Sequence, residues 1–121
     1  MAKKILIIDD EPLAQSKLKD ILQQEGHEVM VVLDGKSGIE QAEKQNPDLI
    51  ITDIVLPDIS GFEVCHTIKR NKGPGAPKII LVTGNDGVVD AVEAGWVGAE
   101  DFMAKTSDHE NLLKKIRQYL K

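Results

Sequence analysis

The chain has 121 residues with 20 acidic against 15 basic side chains, so it can bury one full core but not two, and its net charge of −5 argues against direct nucleic-acid binding. With 41% hydrophobic and 29% charged residues it has the makeup of a soluble globular domain, and the lone Cys65 excludes an internal disulfide and fits a reducing cytoplasm. The apolar run behind Lys3 and Lys4 is stopped at once by Asp9-Asp10, far short of a secretion signal or a membrane span, so a cytoplasmic protein with no membrane partner is expected.

Strand signals and amphipathic helical stretches alternate along the whole chain, the pattern of a parallel sheet covered by helices on both faces. Ile5 to Ile8 reads as the first strand. A helix from about Pro12 to Gln24 follows, with Pro12 tolerated in its first turn, Leu13, Ala14, Leu18, Ile21 and Leu22 on one stripe, and Gly26 placed to end it. Glu28 to Val32 is the second strand. Asp34 is a candidate N-cap for a helix over about Gly35 to Gln45, which carries Ile39 and Ala42 inward and stops before Pro47. Asp48 to Thr52 is a third strand, apolar enough for the centre of a sheet, and Phe62, Cys65 and Ile68 have core spacing on the helix after it. The breaker-rich loop Lys72 to Pro77 leads into a fourth strand, Lys78 to Val82. A fourth helix is expected over Gly87 to Val97 with Trp96 on its apolar stripe, weakened by Gly95 and closed by Gly98. The last unit pairs a strand at Asp101 to Ala104 with a helix at Ser107 to Leu120, opened by Ser107 and Glu110 in capping-box spacing. That helix has a complete apolar stripe of Leu112, Leu113, Ile116 and Leu120, so residues 1–121 are expected to fold as one domain.

Four of these strands end in residues suited to phosphate or magnesium chemistry: Asp9-Asp10, Asp53, Thr83 and Lys105. Open α/β sheets place their sites outside the carboxyl ends of the strands, which gathers these residues in one pocket. Three carboxylates left together there would repel one another, and a hard divalent cation, Mg2+ or Mn2+, removes that problem. Magnesium takes few protein ligands and leaves room for a phosphoryl oxygen. A carboxylate can attack phosphorus to give an aspartyl phosphate, with Lys105 as a point charge and the Thr83 hydroxyl as a donor to the transferred group.

With Asp9-Asp10 after the first strand, Asp53 followed by Pro57 and Gly61, Thr83 after the fourth strand and Lys105 at the end of the fifth, the chain resembles the receiver domains of two-component response regulators over essentially its full length. The resemblance implies a flavodoxin-like (βα)5 three-layer sandwich of the chemotaxis-regulator type, with a central five-stranded parallel sheet in the order 2-1-3-4-5. It implies that Asp53 is phosphorylated by a histidine kinase or phosphotransfer protein, without enzymatic turnover. Asp10, Asp53 and the Val55 carbonyl would hold Mg2+ directly, with Asp9 acting mainly through water. Thr83 and Phe102 would be the switch residues, altering a surface of the fourth helix, fifth strand and fifth helix that a downstream protein or fused output domain reads. Receivers usually carry proline after the lysine, joined by a cis peptide, where this chain has Thr106. A cis bond before a non-proline residue costs about 3 to 4 kcal/mol, so a trans bond is expected. Val55 and Asn85 stand at the positions that affect how water reaches the phosphoryl group.

Each of these residues has a plainer reading alone: Asp9-Asp10 as a loop start or helix cap, Asp53 as an ordinary strand end, Thr83 as a strand former, Lys105 as a surface lysine, and Phe102 and Trp96 as packing. Cys65 reads as core, and His27, His66 and His109 are too scattered for a metal site. Lys114, Lys115 and Arg117 read as a solvated face. Two other functions compete: a receiver that docks partners without phosphorylation, encouraged only by Thr106, and a Mg2+-dependent aspartyl-phosphate phosphohydrolase. The second wants an acid two residues after its nucleophile, where this chain has Val55.

Overall fold

The computed structural model describes residues 2–83, 97–104 and 110–121, and for Pro12, Ala14 and Ala104 the backbone alone. The expected helix over Gly87 to Val97, with Trp96, falls almost wholly outside these residues, as do Asn85, Lys105, Thr106 and the Ser107 cap.

Five parallel strands form one sheet in the order β2-β1-β3-β4-β5: β1 is Lys4–Ile8, β2 Glu28–Val32, β3 Leu49–Asp53, β4 Lys78–Thr83 and β5 Asp101–Ala104. β3 sits one residue later than its sequence pattern suggests, and β4 runs one residue further, so Asp53 and Thr83 are the last residues of their strands. The inner strands explain themselves: every residue of β3 is buried, and β1 and β4 are buried after their leading lysines. An apolar strand covered on both faces belongs inside a parallel sheet, whereas β2, half-buried throughout beyond Glu28, lies at an edge.

Alternate side chains feed two cores. Ile5, Ile7, Leu49, Ile51, Ile80 and Val82 pack against Leu18 and Leu22 of α1 (Pro12–Gln24) and Leu112, Leu113 and Ile116 of the C-terminal helix (Glu110–Tyr119). Leu6, Ile8, Ile50, Ile79 and Leu81 pack against Ala42 of α2 (Gly35–Gln45) and Val64, Cys65 and Ile68 of α3 (Gly61–Lys72). This is the three-layer flavodoxin-like arrangement expected from the sequence.

The helix ends follow local chemistry. Asp34 caps α2 by accepting from the Ser37 N–H at 2.7 Å, and Asn46, left-handed at φ 48°, closes it. Ser60 caps α3 by accepting from the Glu63 N–H at 3.1 Å. Leu13 is a correction: it is 88% exposed, not on the inner stripe, and among the described side chains of α1 the buried ones are Gln15, Leu18 and Leu22. On the solvated face of the C-terminal helix, two of the basic residues also form ion pairs. Arg117 Nη2 lies 2.6 Å from Glu25 Oε2, and Lys115 Nζ lies 3.3 Å from Asp101 Oδ2. Among the described residues, no helix is long and apolar enough to cross a membrane.

Cys65 is fully buried, its thiol donating to the Val97 carbonyl at 3.4 Å, and desolvation pushes its pKa up to about 12. The thiolate is the reactive form, so native protein at pH 8 is expected to resist a thiol reagent and to be labelled once unfolded in urea. Rapid labelling of the native protein, read by mass spectrometry, would contradict the packed position.

Candidate functional site

The strand order reverses between β1 and β3, which leaves a crevice where the chain departs from both strands. Ile8 pairs with Thr52, so the next residues, Asp9 and Asp53, leave neighbouring strands at the same level. On the other side Asp53 pairs with Val82, and Thr83 with Ala104. Asp9, Asp10 and Asp53 each place a carboxylate oxygen so that all three lie within 4.8 Å of one another, with Asp9 and Asp53 buried and Asp10 exposed. Thr83 is 4% exposed at the next strand end, and Phe102 of β5 is half-buried against the core on the α2–α3 face. Asp9, Asp10 and Asp53 therefore meet at one end of the sheet with Thr83 at a neighbouring strand end, while Lys105 lies outside the described residues.

Each buried carboxylate is held differently. Asp9 Oδ1 accepts from the Glu11 N–H at 2.8 Å and Asp9 Oδ2 from the Gln15 side-chain amide at 2.6 Å, which fixes its orientation from both sides. Asp53 Oδ1 accepts from the Val55 N–H at 3.3 Å, tying the carboxylate to the loop that follows it. The Val55 side chain projects into solvent, 67% exposed. Oxygen donors carrying up to three negative charges, one of them solvent-facing, suit a hard divalent cation that retains water. No sulfur or imidazole belongs to the group.

The loop from Asp53 to α3 is shaped by two further residues. The Gly61 N–H donates to the Ile54 carbonyl at 2.8 Å, and a Cβ on Gly61 would overlap the Asp53 carbonyl oxygen, so only glycine allows the helix start to fold back on the strand end. Asp58 reaches across to the start of α2, where its carboxylate accepts from the N–H groups of Gly35 and Lys36 at 2.9 Å each, and from its neighbour Ile59 at 2.8 Å. Desolvation alone would raise the Asp58 carboxyl, but the amide bonds from Lys36, Gly35 and Ile59 outweigh it and hold it below the ordinary aspartate value. A carboxylate at a helix N-terminus also opposes the positive end of the helix dipole.

Two residues of this neighbourhood were not singled out from sequence. Gln15 is 3% exposed and sits at core spacing before Leu18 and Leu22, so a glutamine on an apolar stripe was the available signal. Asp58 had no signal beyond lying between Asp53 and Gly61, because its partners are 22 and 23 residues away.

A family model described as the response regulator receiver domain matches residues 5–117. PilH of Pseudomonas aeruginosa is 35% identical over 117 residues, an alignment covering 97% of each chain. The alkaline phosphatase synthesis transcriptional regulatory protein PhoP of Bacillus subtilis is 32% identical over 121 residues, all of this chain but 50% of its own length. The structure of the response regulator TrrA from Thermotoga maritima, solved in complex with Mg2+-BeF, superposes with a TM-score of 0.86 at 33% identity, covering 97% of this chain and 98% of the other.

The stability contributed by the Asp58 clamp is present above the ordinary aspartate pKa and is lost as pH falls through the lower native value. Asp58→Ala is expected to reduce hydrogen-exchange protection of the Gly35 and Lys36 amides and to flatten the acid limb of the stability profile. Unchanged protection in the variant would remove the clamp as an explanation.

Proposed function

This chain belongs to the response regulator receiver domain family of two-component signalling, and from that premise we propose that Asp53 is its phosphoacceptor and residues 1–121 act as one receiver domain. The observation that carries the assignment is the meeting of Asp9, Asp10 and Asp53 at the strand-order reversal, with Asp53 at the end of a fully buried strand. Its backbone cannot retreat without breaking its pairing with Val82 of β4, one residue beyond the Thr52–Ile8 pair with β1. A carboxylate fixed in this way meets a phosphodonor in one orientation, the main requirement of phosphoryl transfer.

In the proposed step, a carboxylate oxygen of Asp53 forms a bond to phosphorus as the bond from phosphorus to the donor's histidine nitrogen, or to the oxygen of a small phosphodonor, breaks. Asp10, Asp53 and the Val55 carbonyl would hold Mg2+, with Mn2+ as the alternative ion and Asp9 acting through water. When bound, the ion neutralises charge on the phosphoryl oxygens. The hydroxyl of Thr83 would donate to one of those oxygens and Lys105 would meet another. The partners are a histidine kinase or phosphotransfer protein on the input side and, on the output side, a separate protein or fused domain reading the surface around Phe102. The chain spans about half the length of relatives such as PhoP, and its acidity makes direct nucleic-acid contact by this domain unfavourable. A cytoplasmic location accords with kinase-dependent phosphorylation and with the unpaired thiol of Cys65. Turnover of a phosphorylated substrate is disfavoured by Val55, which offers no acid two residues after Asp53.

Incubation of the protein with Mg2+ and acetyl phosphate should add one phosphoryl group by intact-mass spectrometry, and Asp53→Ala should show none. Absence of the adduct on wild type, or its persistence in the variant, would reject Asp53 as acceptor. The apolar, exposed Val55 cannot hold a water in line with the phosphoryl group, so Val55→Asn should shorten the lifetime of that adduct. Equal decay rates for the two proteins, followed by mass spectrometry after donor removal, would count against that role.

A further inference from the structure

Gln15 is the described side chain that the site leaves half-explained. It is 97% buried, and its amide nitrogen lies 2.6 Å from Asp9 Oδ2, a short bond to a group that carries charge. Its Oε1, by contrast, is buried without a hydrogen-bond partner among the described residues. Buried polar atoms are almost always paired, and leaving one unpaired costs about 1–3 kcal/mol, so an orphaned acceptor in a packed helix face calls for a donor that arrives from elsewhere. The two ends of one amide are roughly 2.2 Å apart, which puts Oε1 within about 5 Å of the Asp9 carboxylate. Reversing the amide would set oxygen against carboxylate oxygen, so the orientation is fixed by charge.

We propose that Gln15 is a positioning residue for the divalent cation: its amide nitrogen holds the Asp9 carboxylate, and its orphaned carbonyl oxygen accepts a hydrogen bond from a water carried by that ion. This rests on the reading of Asp9, Asp10 and Asp53 as the metal side of the site. The donor type fits, because magnesium retains waters and polarises them into strong hydrogen-bond donors, while a buried amide oxygen is a neutral acceptor that adds no further negative charge. An apolar residue here would leave Asp9 Oδ2 without its amide partner and the metal's water without an acceptor. Partners of metal ligands and metal waters commonly set affinity by about 10- to 100-fold.

The test is Mg2+ titration by calorimetry on wild type, Gln15→Met, Gln15→Leu and Asp10→Asn, with thermal unfolding of each in the presence and absence of Mg2+. The expected result is at least a tenfold weaker Mg2+ affinity in Gln15→Met and Gln15→Leu, with both variants still unfolding cooperatively without Mg2+, at a temperature lowered by the lost bond to Asp9 Oδ2. Phosphorylation by acetyl phosphate should require correspondingly more Mg2+ but reach the wild-type rate at saturation. In wild type, the side-chain amide signals of Gln15 in a nitrogen-15 NMR spectrum should shift with the Mg2+ binding midpoint, a readout independent of how any variant folds. Wild-type Mg2+ affinity in folded variants, or a Gln15 amide unmoved by Mg2+, would overturn the proposal while leaving the metal site intact. Failure of wild type to bind Mg2+, or undiminished binding by Asp10→Asn, would instead overturn the reading on which it rests.

Discussion

Everything at the carboxyl end of this sheet is arranged around the repulsion of three carboxylates that the backbone does not let apart. Two unit charges about 4 Å apart at an effective dielectric near 20 repel by about 4 kcal/mol, and three mutual pairs exist here. Isolated on a flexible loop they would separate. Asp9 and Asp53 cannot, because Asp9 directly follows β1 and Asp53 is the last residue of β3, and Ile8 and Thr52, the residues before them, are paired in the ladder between the two strands. The packing of two hydrophobic faces thus supplies the work of bringing charge together, and a hard divalent cation is what such a cluster favours.

The surrounding residues act on the same problem. Gln15 and the Glu11 amide orient Asp9, and the Val55 amide orients Asp53. Asp58 ties the loop that follows Asp53 to the start of α2, and Gly61 lets α3 begin against the strand end. At the opposite end of the sheet the chain is braced by a separate network. The Lys69 ammonium donates to both Glu100 oxygens at 2.8–2.9 Å and to the Pro77 carbonyl at 2.9 Å, while Glu100 also accepts from the Ile79 N–H at 2.7 Å. The Tyr119 hydroxyl bonds the Glu100 carbonyl and the Asp101 carboxylate at 3.0 and 2.9 Å, which joins the C-terminal helix to the start of β5. The carboxylate end therefore sits on a base braced by an ion pair and hydrogen bonds as well as by apolar packing.

How much of this was legible in the sequence depended on whether the cause was local. The strands of the sheet announce themselves as short apolar runs, and Asp34 as a cap, because a few neighbouring residues decide both. The convergence of Asp9, Asp10, Asp53 and Thr83 was legible too, since a parallel sheet places all strand ends on one side. Leu13 was misplaced and Gln15 overlooked for one reason: hydropathy assigns leucine inward and glutamine outward, but the buried Asp9 carboxylate reverses the preference by offering the glutamine amide a strong partner. Asp58 was illegible because the amides it caps belong to another helix. The boundary of β3 moved by one residue because its ladder with β4 runs from Leu49–Lys78 to Asp53–Val82, and residue type cannot tell one flanking aspartate, Asp48, from the other, Asp53.

The register also bears on how a change at Asp53 would travel. Thr83 pairs with Ala104, and Phe102, two residues back on the same strand, pairs with Leu81 and packs into the core on the α2–α3 face. A movement that drew Thr83 toward a phosphoryl group would act on the last pair of a short four-residue edge strand, whose other end is held by Glu100, Asp101 and Tyr119. A strand pinned at one end and pulled at the other responds by rotating or sliding its free end, and interfaces between packed elements shift between discrete arrangements more readily than they stretch. The half-burial of Phe102 suits such a response: a fully enclosed ring would have nowhere to go, and an exposed one would lose no contact by moving. Under the proposed phosphorylation of Asp53, the edge strand, more than the buried centre of the sheet, would be where the change reaches the surface.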